Sequence, residues 1–598
     1  MDTKKLVLAI VLSVTVLMVY QYFFMPKPVD RVQAPVAGAV RPQDAGAVTS
    51  PDPEAAQTAG QGSATDIGSI LGQGEPAVAA EKEVQLPDVT QDLSALDEQA
   101  VTVDSPLFTA VFTNRGAGLT SFILKKYDDD TRKPLDLVSR NAKNSGFYPF
   151  YFLGNAEALA ALNKVMFRYQ GASTVAVAGG RETEIVFEYA DAVRNLLAVK
   201  KFIFNTDSYV IGLKFEVIKD GRPLPDLPVA FGPDLENNDS RDRAMMMNLK
   251  IAAYRNEKLE SLEFAKQKTQ PQAGQTFAKA SGEMGSGFYW AAYETTYFAA
   301  VFRSAPQNRS KVSYQVLKQP QGKEASTLYS YMVVTDPTAV FIGPKDEKVL
   351  AAVEREFPDL NKIIEYGWFG SIAKLMLKGI VWIHGFIPNY GWALIVFTLF
   401  LKIILFPLTY SSSVSMAKMQ NLQPKMKAIK KKYKNTKDME QRKQMNMEIM
   451  ALYKEEKVNP AGGCLPILLQ LPILWGFFRL LSVCINVRHE PWILWITDLS
   501  KKDPYYVLPI LMGVTQFIQQ RMTPSGGDET QKKLMYIMPF VMTIMFASFP
   551  SGLNLYWFFS NLLQIGQQKI INEKIHKEKK EEIREIKTLK RKKGAKEK

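Results

Sequence analysis

The sequence predicts a polytopic α-helical membrane protein with six spans, five of them forming a core in the second half of the chain. A large extracytoplasmic all-β sandwich domain sits between the first span and that core. Three observations carry this prediction. Long uncharged apolar runs occupy residues 6–25 and most of 361–570, and a helix needs ~20 such residues to cross a bilayer. Between 101 and 345 the pattern changes to short alternating runs broken by Gly, Pro and Asn, the period-two signature of strands. The net charge of +14 comes from two segments, 411–463 with 12 Lys/Arg against 5 Asp/Glu and 569–598 with 13 against 6. Both flank predicted spans, so both face the cytoplasm.

Taken in order, residues 1–25 read as a membrane anchor with a cytoplasmic N-terminus. Lys4 and Lys5 precede an uncharged run of 20 residues, longer than the ~7–15 of a signal peptide, and no small-residue cleavage site follows it. Residues 26–100 are rich in Ala, Pro, Gly and Gln and nearly lack aromatics, the composition of a flexible linker. The β domain of 101–345 is illustrated by 209–218 (YVIGLKFEVI), which sets Ile211, Leu213, Phe215 and Val217 on one face and Lys214 and Glu216 on the other. Lying beyond an N-in anchor, this domain is outside the cytoplasm. Residues 346–388 hold a linker and an interfacial amphipathic helix (367–386) with Lys374 and Lys378 one turn apart. The core, 389–570, has expected spans at 390–410, 464–486, 505–521, 533–550 and 552–570. The last two come from a 35-residue stretch without charge, 534–568, with Pro550-Ser551-Gly552 as the turn between them. A cytoplasmic helical hairpin (412–456) and a basic cytoplasmic tail (571–598) complete the chain.

Lys402 has the strongest claim on function. It is the one charge in 391–415, and an ammonium near mid-span costs from ~2.5 to more than ~10 kcal/mol. Two readings stand. Either the charge faces a wet cavity, a partner or a substrate, or the stem snorkels along ~12 Å of helix to the span's end near Tyr410. Thr398, Gln470, Arg479, Gln516, Gln520, Asn554, Asn561 and Gln564 add polar groups to the spans, as pins between helices or as a polar lining. Arg479, ~10 Å from the outer end of its span, reads as a snorkel to that surface. The hairpin repeats apolar residues at helical spacing (Leu422, Met426, Ile429, Tyr433; then Met445, Ile449, Leu452) and is rich in methionine. Such a surface adapts to varied apolar partners or packs on itself.

Enzyme signals are poor. The three histidines, His384, His489 and His576, all lie outside the β domain, and no phosphate-binding glycine loop or nucleophile elbow occurs. Neither a cofactor nor a metal is expected. Cys464 and Cys484 share one predicted span, ~30 Å apart, which excludes a disulfide. A secondary transporter would show internal repeats with paired broken helices, and none is visible. A periplasmic carbohydrate-directed module with the spans as anchor is the other rival.

Four stretches, SMAKMQNLQPKMKAI (415–429), ALYKEEKVNPAGGCLPILLQLPI (451–473), DPYYVLPILMGVTQ (503–516) and FPSGLNLYWFFSN (549–561), resemble the YidC/Oxa1/Alb3 family of membrane protein insertases in its Gram-negative form. The order and spacing of 360–570 agree with that family. The resemblance implies an inner-membrane insertase and folding chaperone whose five core spans surround a hydrophilic groove, and it makes the β domain periplasmic. It implies a single basic residue in the groove, usually arginine and here Lys402, with Thr398, Gln520 and Asn561 lining it. It implies contact with the substrate helix at Leu471, Leu474 and Trp557, and a receiving hairpin marked by Met419, Met426, Met445 and Tyr433. The implied partners are nascent membrane proteins, the Sec translocon, the ribosome (through the basic tail and the hairpin) and membrane lipids, with no small-molecule substrate. Lysine keeps the charge but loses the guanidinium fork. Arg479 stands where the resemblance implies an uncharged residue.

Overall fold

The computed structural model describes residues 89–154, 156–236, 249–267, 270–271, 278–305, 310–321, 325–433, 439–456, 458, 465–523 and 529–594. The expected anchor (1–25), most of the expected linker, Cys464 and the turn expected at 435–438 lie outside the described residues; Cys484 is buried and free.

Alternating side chains decide the first half. Strand Leu196–Phe204 buries every second residue, and Val210–Lys219 buries Ile211, Leu213 and Val217 while Lys214 points to solvent. These two are neighbours in the largest sheet. Its spatial order is Lys258–Glu263, Lys250–Arg255, Trp290–Glu294, Phe298–Arg303, Ala339–Pro344, Val210–Lys219, Leu196–Phe204 and Thr183–Asp191, with Arg222–Pro223 beside Val210–Lys219. Two five-stranded sheets form the second layer. One runs Pro134–Asp136, Gly118–Asp128, Phe108–Thr113, Ala100–Asp104 and Thr174–Ala176, the other Pro228–Phe231, Ala325–Thr335, Lys311–Gln321, Ala278–Ser286 and Gln270–Pro271. Aromatic residues fill the space between the layers. Phe112 lies 4.7 Å from Phe202, and Phe231 lies 5.9 Å from Phe302 (ring centroids), so both smaller sheets pack on one face of the large one. Phe150 touches Phe202 and Phe231 and bridges the two halves. Two short helices, α1 (Arg140–Ser145) and α2 (Glu157–Leu162), close its edges.

One residue breaks the apolar row. Lys200 replaces a hydrophobe in Leu196–Phe204 and is 1% exposed. Its ammonium position is met by the carbonyls of Gly116 at 2.8 Å and Phe150 at 2.7 Å, and lies 4.2 Å from the Phe152 ring centroid. Burial pushes this amine down to about 7.

Helices fill the remainder: α3 (Glu347–Ala352), α4 (Gly370–His384), α5 (Tyr390–Ile404), α6 (Phe406–Lys432), α7 (Met439–Glu455), α8 (Leu465–Val483), α9 (Val507–Met522), α10 (Glu529–Phe546) and α11 (Ser551–Gly594). Helix α4 buries Ala373, Met376, Leu377, Ile380 and Ile383 and leaves Leu375 and Trp382 exposed. It is thus apolar on two sides rather than one. Lys374 folds back over the Tyr366 ring at 5.6 Å. Helix α11 packs against α5, α6, α8 and α9, which makes it the spine of the bundle.

Two expectations change. The helix expected at 390–410 is broken: α5 and α6 meet at 57°, and among the described residues only this bent pair is long and apolar enough to cross a membrane; no single helix is. The cause is Pro407, which has no N–H for the carbonyl of Ile403 and whose ring clashes with an unbroken turn. Helix α5 ends after 15 residues, or ~22 Å. Lys402 therefore sits in its last turn rather than mid-helix, where the helix dipole favours a cation. Second, most of the expected tail is not a separate segment. Residues 571–594 continue α11, a helix of 44 residues, because Lys, Glu and Arg are strong helix formers and Glu573 precedes Lys577 by one turn.

Lys200 generates a pH prediction. Its amine is held near 7 in the folded domain against ~10.4 in an unfolded chain. The unfolded state binds more protons between those values, so this residue's contribution to stability is full above the unfolded value and is lost as pH falls through 7. Thermal unfolding across pH 6 to 10 is expected to show a rise with pH that Lys200→Met lacks. Parallel pH profiles for the two proteins would refute it.

Candidate functional site

A row of polar side chains follows one face of α11. Asn561, Gln564, Gln568 and Asn572 are spaced three or four residues apart, so they form a single stripe. Asn561 Nδ2 donates to the carbonyl of Met512 at 3.2 Å and approaches Thr515 Oγ1 and Gln516 Oε1 at 3.4 Å on α9. Gln564 Oε1 accepts from Lys402 Nζ at 3.0 Å. Gln568 Oε1 accepts from Ser413 Oγ on α6 at 3.2 Å, and Asn572 Nδ2 donates to the carbonyl of Met522 at 3.0 Å. The stripe thereby ties α11 to α5, α6 and α9.

Lys402 is held at two points. Besides the bond from its amine to Gln564, its own carbonyl accepts from Gln567 Nε2 at 3.1 Å. That carbonyl belongs to the last turn of α5, where an intact helix would supply a donor and the bend at Leu405 removes it. The stem is half-buried and turned toward α11. The electrostatics are one-sided: residues 366–437, 464–489, 505–527 and 534–572 contain no Asp or Glu.

The other expected residues divide. Asn561 joins the stripe directly. Thr398 is fully buried and donates to the carbonyl of Leu394 one turn back at 2.7 Å, so its hydroxyl is satisfied within its own helix. Gln520 donates to the carbonyl of Met535 at 2.7 Å and links α9 to α10. Trp557 donates its indole N–H to Gln516 and packs on Phe546 at 5.4 Å. On α8, Leu471 is exposed and Leu474 half-buried, on either side of Pro472. In the hairpin Met419 is buried with Leu422, Tyr453 and Val458, and Met426 Sδ accepts from Tyr453 Oη at 3.2 Å. Met445 and Tyr433 are half-buried, whereas Met439, Met447 and Met450 are the exposed methionines. The self-packed side and the open side thus use different methionines. Gln567, Gln568 and Ser413 are the residues a sequence reading leaves out of the site, while Gln564 is named there only among the polar groups of the spans. The spacing 561, 564, 568 was the available signal.

The end of the bundle next to the β domain accounts for Arg479. Its guanidinium donates to the carbonyl of Glu365, just before α4. The Glu365 carboxylate meets Lys250 at 2.7 Å, Lys250 lies 3.5 Å from Glu294, and Glu294 meets Lys345 at 2.6 Å. Burial works against the charge of Glu365, but Lys250 keeps its carboxyl below the usual range. Further bonds join the β domain to the loop between α8 and α9: Arg132 to the carbonyl of Thr497 at 2.8 Å, Lys501 to Asp130 at 2.9 Å, and Asn486 to Asp346 at 3.0 Å.

Residues 382–579 match the family model described as 60Kd inner membrane protein, and residues 100–378 match the YidC periplasmic domain model. The chain is 33% identical over 578 residues to the membrane protein insertase YidC of Geotalea daltonii, covering 96% of this chain and 99% of that protein. It is 36% identical over 499 residues to the YidC of a Geobacter species (strain M21), covering 79% and 86%. Among solved structures, an active YidC insertase with its first transmembrane domain resolved aligns over 81% of this chain and 94% of that one, at 18% identity. Its TM-score of 0.33 is too low to carry argument.

Close packing of α9 on α10 gives a testable contrast between two glycines. A Cβ at Gly513 would lie 2.0 Å from Thr543 Oγ1, while one at Gly566 would meet nothing within 4 Å. Gly513→Ala is expected to destabilise the detergent-solubilised protein by ~1–3 kcal/mol. Gly566→Ala is expected to leave stability unchanged or raise it slightly, since alanine is the better helix former. Equal melting temperatures for the two variants would refute the contact.

Proposed function

The chain belongs to the YidC family of membrane protein insertases, proteins that are not enzymes, and from that premise we propose how its residues carry out insertion. It crosses the inner membrane six times, with both termini in the cytoplasm and the mostly β domain in the periplasm. Nascent transmembrane segments are its substrates, taken alone or beside the Sec translocon, and it also acts as a folding chaperone. No nucleotide is consumed.

The mechanism is a lowered barrier. A polar or acidic tail would otherwise cross ~30 Å of hydrocarbon. A hydrophilic groove between α5, α9 and α11 shortens that path, and the cation of Lys402 offsets desolvation of the tail's carboxylates. The apolar part of the substrate then slides past Leu471 and Leu474 into lipid, where burial drives the step. Asn561 lines the groove. Thr398, Gln520 and Trp557 brace its walls through their bonds within and between helices. The exposed methionines of α6–α7, Met439, Met447 and Met450, receive the substrate in the cytoplasm, with Met445 and Tyr433 at the margin. The basic end of α11 meets ribosomal RNA phosphates or anionic lipid. The observation that carries this reading is an ammonium aimed at a polar stripe where the surrounding stretches 390–432, 507–522 and 551–572 carry no carboxylate.

Liposomes containing only this purified chain provide the test, with a small membrane protein whose translocated tail is acidic. Wild type and Lys402→Arg are expected to insert it, and Lys402→Ala to lose insertion by about tenfold or more, equivalent to ~1.4 kcal/mol. Equal insertion by all three would remove Lys402 from the mechanism.

A further inference from the structure

Lys402 needs an acceptor for its N–H groups, and among the described residues no carboxylate pairs with it. Among the described residues its amine donates to one side chain, Gln564, whose amide oxygen lies at 3.0 Å. The neighbouring polar groups of α11 are committed elsewhere, Asn561 to α9 and Gln568 to Ser413 and Asn572. Gln567 meanwhile fixes the backbone of Lys402 at 3.1 Å. The amine is thus aimed by a neutral dipole that leaves its full charge in place.

The choice of an amide matters. A carboxylate accepting from an ammonium adds the attraction of a full opposite charge, which the dipole of an amide oxygen cannot match. An incoming Asp or Glu therefore outcompetes Gln564 for the same protons, and the amide recovers them when the substrate leaves. A glutamate of the same length at that position would satisfy the amine and neutralise it, and a substrate carboxylate would then have to displace an internal ion pair. We propose that Gln564 is a positioning residue for insertion: a neutral placeholder that holds Lys402 toward the groove and yields it to substrate carboxylates, which makes the site selective for acidic translocated segments. This rests on the reading of Lys402 as the groove cation.

The test uses the full chain in liposomes and one substrate in two forms, its translocated tail carrying two Asp or two Asn. The readout is the ratio of acidic to neutral insertion, which damage to the fold alone would not move. Gln564→Glu is expected to lower the ratio of acidic to neutral insertion about tenfold through internal pairing. The exchanged pair Lys402→Gln/Gln564→Lys, which moves the cation to the other end of the same bond, is expected to restore the acidic preference. An unchanged ratio in Gln564→Glu, whether both substrates fall together or neither does, combined with failure of the exchanged pair, overturns the proposal. Lys402→Ala separates the two failures. If it lowers the ratio while Gln564→Glu does not, the placeholder role alone is wrong; if it leaves the ratio unchanged, the groove-cation reading falls and this inference with it.

Discussion

An ammonium among helix stretches without carboxylates (390–432, 507–522 and 551–572) is the constraint around which the second half of the chain is arranged. Lys402 has to be hydrogen-bonded or hydrated, because an uncompensated charge in a low-dielectric interior costs several kcal/mol. The bundle meets that requirement with glutamines of the helix that touches four others. Gln564 takes the amine and Gln567 takes the carbonyl freed by the bend at Leu405. The bend and the lysine are linked: Pro407 ends α5 two residues beyond Lys402, so charge, helix terminus and orphaned carbonyl coincide and one face of α11 serves all three.

Three lysines, the buried Lys200 and Lys345 and the half-buried Lys402, show three ways of partnering an amine. Lys345 faces the carboxylate of Glu294 at 2.6 Å and is neutralised by a charge. Lys200 has two backbone carbonyls and an aromatic ring, so burial pushes its proton off near neutral pH. Lys402 is half-buried and donates to a single neutral amide. Only the third partner is a single neutral side chain. The first two are closed by packing and serve the β domain and its junction with the helices.

That junction makes the β domain more than a passenger on a tether. The chain Lys345–Glu294–Lys250–Glu365 runs from the large sheet to the start of α4, and Arg479 of α8 closes it on the carbonyl of Glu365. The loop between α8 and α9 adds bonds to Asp130, Arg132 and Asp346. Arg479 looks out of place in an apolar helix until its partner is known. Its long stem lets the guanidinium leave the apolar zone and bond a carbonyl that no regular element satisfies.

What the sequence by itself determined follows from local sums and local periods. Hydropathy over a window, the placement of basic residues and the alternation in 209–218 each depend only on neighbouring residues, so the mostly β domain, the helical core and the candidacy of Lys402 were legible. The bend at Pro407 was legible in principle, since proline's missing N–H is a local fact, but an apolar run conceals it. Which partners meet was decided only by the tertiary structure. Thr398 bonds its own helix, Gln520 turns to α10 and Gln564 takes Lys402, because a side chain's partner depends on the rotation and crossing of helices far apart in sequence. Arg479 and Glu365 are 114 residues apart, and Lys402 and Gln564 are 162 apart. No pattern along the chain sets those pairings; they arise where packed surfaces leave a donor facing an acceptor.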